Sequence, residues 1–109
     1  VWAEHWAAFL LRMKGYKILE QRYKTPVGEI DLIVSRRDVI AFIEVKARKD
    51  MAQALSSLTP SMKKRIVRAA EYFLSQTPDA ADKILRFDLI AIAGAFSIEH
   101  LDNAWRPAS

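Results

Sequence analysis

The chain has 109 residues, 51% of them hydrophobic and 28% charged, the balance of one ordinary globular domain spanning 1–109. Its 3 glycines, 4 prolines and 0 cysteines exclude collagen-like and linker-dominated chains, disulfide scaffolds, thiolate metal sites and cysteine nucleophiles. No apolar run approaches the ~18 residues of a bilayer span, and the lack of cysteine fits a reducing, cytoplasmic compartment with no membrane partner. The net charge of +4, from 17 Lys and Arg against 13 Asp and Glu, favours nucleic acid over acidic partners.

Trp2, Trp6, Phe9, Leu10 and Met13 recur at helical spacing, and Ala3, Ala7, Ala8 and Leu11 fill most of the remaining circumference. The spacing predicts a helix over 2–14, buried on more than one side, with Gly15 as a left-handed cap. Residues 16–24 read as a strand, and Thr25-Pro26-Val27-Gly28 as a turn with Pro second and Gly fourth. Residues 29–35 and 39–47 are strands around a turn at Arg36-Arg37-Asp38. Residues 49–58 carry weaker signals and leave room for a short helix. Thr59-Pro60 starts a helix running to about Gln76, with Met62, Ile66, Ala70, Phe73 and Leu74 as its apolar stripe. Residues 86–93 and 96–101 are strands, and the tail after Asp102 has little pattern. The order is αβββαββ. Three strands joined by short turns form a meander, and the helix crossover lets strand 86–93 lie parallel to strand 39–47 in one mixed sheet.

The residues that carry chemistry are Asp31, Glu44 and Lys46. Glu44 and Lys46 are two apart on a strand and share a face, as do Glu29 and Asp31. If the hairpin closes through Arg37-Asp38, Asp31 faces Glu44 and Glu29 faces Lys46; a loop at Arg36-Arg37 instead sets Glu29 against Glu44. Opposed Cβ atoms lie roughly 4.5–5.5 Å apart, so two ionised carboxylates would repel and one would be driven toward its neutral form unless a cation intervened. Oxygen ligands without Cys or paired His point to Mg²⁺ or Mn²⁺, which polarises a phosphoryl oxygen and acidifies a bound water. Lys46 beside it would stabilise charge developing on phosphorus or orient the attacking water. An ordinary solvated sheet face is the competing reading, with Glu–Lys pairs worth about 0–1 kcal/mol. Phe42 and Ile33 on the same face argue against it.

GEIDLIV at 28–34 and FIEVKAR at 42–48, with AEHWAAFLLRMKGYKIL before them and RFDLIAI after, resemble the YraN-like family of the PD-(D/E)xK nuclease superfamily. The resemblance covers most of the chain. It implies an α/β fold with the restriction-endonuclease-like αβββαβ core, a mixed central sheet flanked by helices. It also implies a metal-dependent endonuclease acting on nucleic acid, DNA foremost, including branched DNA of the Holliday-junction kind, as a homodimer. By the same resemblance Asp31 and Glu44 hold Mg²⁺ (or Mn²⁺) with the Val45 carbonyl, Lys46 is the catalytic lysine, Glu4 is the helical glutamate at the site, and Arg48 is the basic residue after the EVK motif.

One departure matters. Met62 stands where the resemblance leads one to expect Lys, and the basic residues begin at Lys63. Each residue turns a helix by ~100°, so Lys63 does not replace position 62. A binding module that keeps the nuclease fold without catalysis is therefore the alternative function. Met62–Ala70 carries four positive charges and no acid, which makes Lys63, Lys64, Arg65 and Arg68 the phosphate-contact surface, with Lys63, Lys64 and Arg68 as its named contacts. His5 and His100 are single and far apart, and packing or surface roles fit them. Trp2, Trp6 and Trp105 are expected in a core or subunit interface, and Asp88 in a structural pair. The serines lack a nucleophile elbow, and there is no P-loop or GxGxxG.

Overall fold

A computed structural model describes residues 2–95 and 97–107. The elements are α1 (Trp2–Met13), β1 (Lys17–Thr25), β2 (Gly28–Arg36), β3 (Val39–Arg48), α2 (Met51–Ser56), α3 (Pro60–Ser75), a 3-10 turn (Pro78–Ala80), β4 (Ile84–Ala93) and β5 (Ser97–Trp105). The strands form one five-stranded sheet in the order β1-β2-β3-β4-β5. β3 and β4 run parallel and every other neighbouring pair is antiparallel. This mixed sheet flanked by helices is compatible with a restriction-endonuclease-like core, as the αβββαβ order predicted. Among the described residues no helix is long and apolar enough to cross a membrane.

Local chemistry fixes the ends of the elements. α1 stops in a Schellman arrangement: Tyr16 N–H donates to the Leu11 carbonyl and Gly15 N–H to that of Arg12, with Gly15 at φ 90°. Thr59 caps α3 by accepting from Met62 N–H at 3.2 Å, and Pro60 occupies its first turn. Asp50 caps α2 by accepting from Gln53 N–H, which places a short helix in the stretch with weak signals.

The core has two layers, one on each face of the sheet. Ile66, Ala69, Ala70 and Phe73 of α3 pack on Ile30, Ile33, Phe42 and Phe87. On the other face Ala7, Ala8 and Leu11 of α1 pack on Leu32, Val34, Ala41, Ile43 and Ile90. Here one expectation is corrected. α1 is buried along one stripe only: Ala7, Ala8 and Leu11 are its buried residues, while Trp2, Trp6, Phe9 and Met13 are exposed. The alanines let the helix backbone approach the sheet, and that turns its bulky side chains outward. Trp105 is the tryptophan in the core, its ring tilted against that of Phe87. It sits there because β5 runs to Trp105, four residues beyond the predicted end.

Asp88 is fully buried at the β4–β5 pairing and is satisfied on every side. Arg86 donates to both of its oxygens, His100 Nε2 lies 2.8 Å from Oδ2, and Asn103 N–H donates to Oδ1. Burial raises its pKa, but hydrogen bonds from His100, Arg86 and the Asn103 amide, with the Arg86 charge, outweigh that and hold it below the ordinary carboxylate value. The expected structural pairing of Asp88 and the packed role of His100 are both present.

Candidate active site

The β2–β3 hairpin closes with Arg36 opposite Val39, and the ladder continues through Ser35–Ile40, Val34–Ala41 and Ile33–Phe42 to Leu32–Ile43. This selects the Arg37-Asp38 loop and excludes the register that opposed Glu29 to Glu44. The next pair in sequence would be Asp31 and Glu44, and there the backbone ladder stops. Val45 N–H donates instead to Asp31 Oδ2 at 2.8 Å, so a side chain takes the place of a strand carbonyl. The alternation of β2 breaks at the same point. Ile30 packs in the α3 layer, whereas Leu32 packs in the α1 layer; residues two apart on a regular strand would share a face.

The Asp31 carboxylate lies close enough to Glu44 to act on it electrostatically. Lys46 Nζ lies 3.1 Å from Glu44 Oε2, with 14% and 12% of the two side chains exposed. Glu44 is pushed up to about 8, first by burial and then by the charge and hydrogen bond of Asp31, against the downward pull of Lys46. Glu44 therefore keeps its proton largely bound near neutral pH, as expected for a carboxyl buried beside a second acid. Glu29 does not face Lys46; it is exposed and pairs with Lys24 of β1.

A cleft of about 230 Å³ opens over the carboxylates, lined by Gly28, Glu29, Asp31, Glu44, Met62, Arg65 and Ile66. Its far wall is the N-terminal half of α3. Among the described residues no cluster of three or more His, Cys, Asp or Glu forms a ready-made metal cage. Asp31, Glu44 and a backbone carbonyl still suit Mg²⁺, which binds through one or two carboxylates and keeps several waters.

The other predicted site residues are dispersed. Glu4 does not line the cleft: its Oε1 is 3.8 Å from Arg22 Nε, on a helix that packs against the opposite layer. Arg48 is exposed at the end of β3 and donates to the Ala47 carbonyl. Lys63, Lys64 and Arg68 line a separate groove with Val67, Trp105 and Arg106, where Lys63 Nζ stands 6.0 Å from the Trp105 ring centroid. The cation that reaches the cleft is Arg65, a member of the predicted basic surface but not one of its named contacts. The signal was present: Arg65 is three residues after Met62, so the two share a helix face.

The family described as Uncharacterised protein family UPF0102 matches residues 3–92, which span all of this site. The chain belongs to UPF0102. It is 46% identical over 105 residues to a UPF0102 protein of Parvibaculum lavamentivorans, covering 96% of this chain and 79% of that one. It is 48% identical over 103 residues to a UPF0102 protein of Rhodopseudomonas palustris strain BisB5, covering 94% of this chain and 79% of the relative. A UPF0102 protein of a Chelativorans species is 46% identical over 99 residues, 91% of this chain and 80% of that one. The YraN-like resemblance read from GEID and EVK is thus a family relationship, and this UPF0102 chain carries both motifs on the two strands that meet at the cleft.

Proposed function

We propose that this chain hydrolyses phosphodiester bonds of nucleic acid, DNA foremost, in the cleft over Asp31 and Glu44. The observation that carries the reading is the carboxylate pair itself. Two carboxylates line one half-buried cleft, beside a lysine 3.1 Å from one of them, where the β2–β3 ladder gives way. Asp31, Glu44 and the Val45 carbonyl would hold Mg²⁺ or Mn²⁺; such an ion, when bound, supplies a more acidic water and neutralises charge on phosphorus. Loading it requires Glu44 to release its proton, which makes affinity rise with pH. Lys46, held by Glu44, orients the attacking water and offers positive charge to the oxygens of the pentacoordinate phosphorus. Water oxygen bonds to phosphorus, the bond to the leaving oxygen breaks, and a proton ends on that oxygen. Lys63, Lys64 and Arg68 in the separate groove toward Trp105, with Arg48 at the end of β3, would hold the phosphate backbone beyond the cleft.

The test compares wild type and Lys46→Ala on labelled duplex, single-stranded, flap and four-way-junction DNA with Mg²⁺, Mn²⁺ or EDTA. We expect metal-dependent cutting that the substitution abolishes, and loss of metal binding in Asp31→Ala combined with Glu44→Ala. Salt-sensitive DNA binding without cutting on any substrate would replace this reading with a non-catalytic binding module. Met62 in the cleft wall is the observation that favours that second reading.

A further inference from the structure

We propose that Arg65 is the residue that grips the substrate's phosphate in this cleft, and that Gly28 is the residue that positions it. The inference rests on the phosphodiester reading above and names a group that reading lacks. The polar lining of the cleft is otherwise acidic, consisting of Glu29, Asp31 and Glu44. A phosphate approaching three carboxylates needs a cation that is not already engaged. Lys46 is engaged by Glu44 at 3.1 Å. Arg65 is not: among the described residues it forms no ion pair, although it lines the same cleft as the three acids. Of the four cations between Met62 and Ala70, Arg65 is the one on this wall, while Lys63, Lys64 and Arg68 line the groove toward Trp105. A guanidinium presents a planar fork that meets two phosphate oxygens at once.

The position of Arg65 follows from the β1–β2 turn. That turn is tied by Thr25 Oγ1, which accepts from Val27 and Gly28 N–H and donates to the Gly28 carbonyl. α3 lies directly on it. A Cβ on Gly28 would stand 2.7 Å from the Arg65 carbonyl oxygen, 3.3 Å from its carbonyl carbon and 3.4 Å from its Cβ. The nearest atoms are backbone, so a side chain at position 28 must push α3 away at Arg65. The glycine is required here by close approach, not by a left-handed φ.

The experiment measures binding of a fluorescein-labelled DNA oligonucleotide by anisotropy in EDTA, across a salt series, so that catalysis and metal play no part. We expect Arg65→Ala to weaken binding about tenfold or more and to flatten the salt dependence by about one phosphate contact. Arg65→Lys should recover the slope and only part of the affinity. Gly28→Ala should weaken binding although it removes no charge, and the double variant Gly28→Ala, Arg65→Ala should bind no worse than Arg65→Ala alone. Arg65 is exposed, so its truncation tests the idea even if Gly28→Ala folds poorly. Tight wild-type binding with affinity and slope unchanged in Arg65→Ala overturns the assignment of Arg65. Additive losses in the double variant overturn the positioning role of Gly28. Absence of wild-type binding to any DNA, both in EDTA and with Mg²⁺ added, overturns the phosphodiester reading itself.

Discussion

Replacing Glu44 by Gln should stabilise the metal-free protein at alkaline pH and leave it nearly unchanged in mild acid. Glu44 is raised from 4.5 to about 8 by burial and by Asp31, so the folded state holds this proton more tightly than the unfolded chain does. The Glu44 contribution is then fully present below pH 4.5 and is lost as the pH climbs to about 8. At about 1.4 kcal/mol for each tenfold change in proton affinity, the full gap corresponds to roughly 4–5 kcal/mol. About 3 kcal/mol of it falls between pH 5 and pH 8. Glutamine has the shape of the protonated acid, accepts from Lys46 and donates toward Asp31, so it keeps the hydrogen bonds and removes the titration. Urea unfolding of both proteins in EDTA at pH 5 and pH 8 reads the effect, because carboxylates common to both cancel in the difference. A Gln variant that gains the same stability at both pH values would refute the reasoning, and so would one that gains none at pH 8.

The buried network around Asp88 carries the opposite sign. Its pKa is held below 3.8, so its contribution is present above about pH 4 and is lost as the pH falls through the depressed value. Asp88→Asn should cost about 3–5 kcal/mol by leaving Arg86 uncompensated, with the deficit shrinking on acidification in a circular-dichroism titration; a deficit that does not change with pH would contradict this. The exposed Trp2, Trp6, Phe9 and Met13 of α1 form an uncharged stripe. We expect it to seat a second copy of the chain. Light scattering should give twice the monomer mass, and Trp6→Glu with Phe9→Glu should return the monomer; a monomeric wild type at high concentration excludes the homodimer.

Local rules made much of this fold readable. β2 and β3 alternate or are rich in β-branched residues, so both strands were legible, and counting reduced the hairpin to two registers, of which the Arg36–Val39 closure selects the one that brings Asp31 toward Glu44. Thr59-Pro60 placed the start of α3 because cap chemistry is local. The failures share a cause, which is information held between segments. Whether Trp2 and Trp6 or Ala7 and Ala8 face the sheet depends on how closely α1 approaches, and an all-round apolar helix does not encode that. The four cations of α3 divide between two walls according to helix phase, and phase is set by Ile66, Ala69, Ala70 and Phe73 in the core. The partners of Asp88 come from residues 2 to 15 positions away along two strands and are visible only once β4 and β5 pair.

The competing picture of Asp31, Glu44 and Lys46 as an ordinary solvated face can be weighed against what the fold tolerates here. A solvated face keeps strand alternation, exposes its carboxylates and leaves their proton affinities alone. At this cleft the β2–β3 ladder ends early, β2 changes face between Ile30 and Leu32, a backbone amide is satisfied by a side-chain carboxylate, and Glu44 is held largely neutral beside a second acid. Each feature is unfavourable or neutral for stability when taken singly. No two of them are needed to make the sheet, since the same strands pair regularly from Leu32–Ile43 to Arg36–Val39. Departures from local rules that concentrate where charged groups converge are the mark of a site kept for its chemistry. The Glu44→Gln measurement tests that argument directly, because a residue present for stability would not be improved by losing its charge.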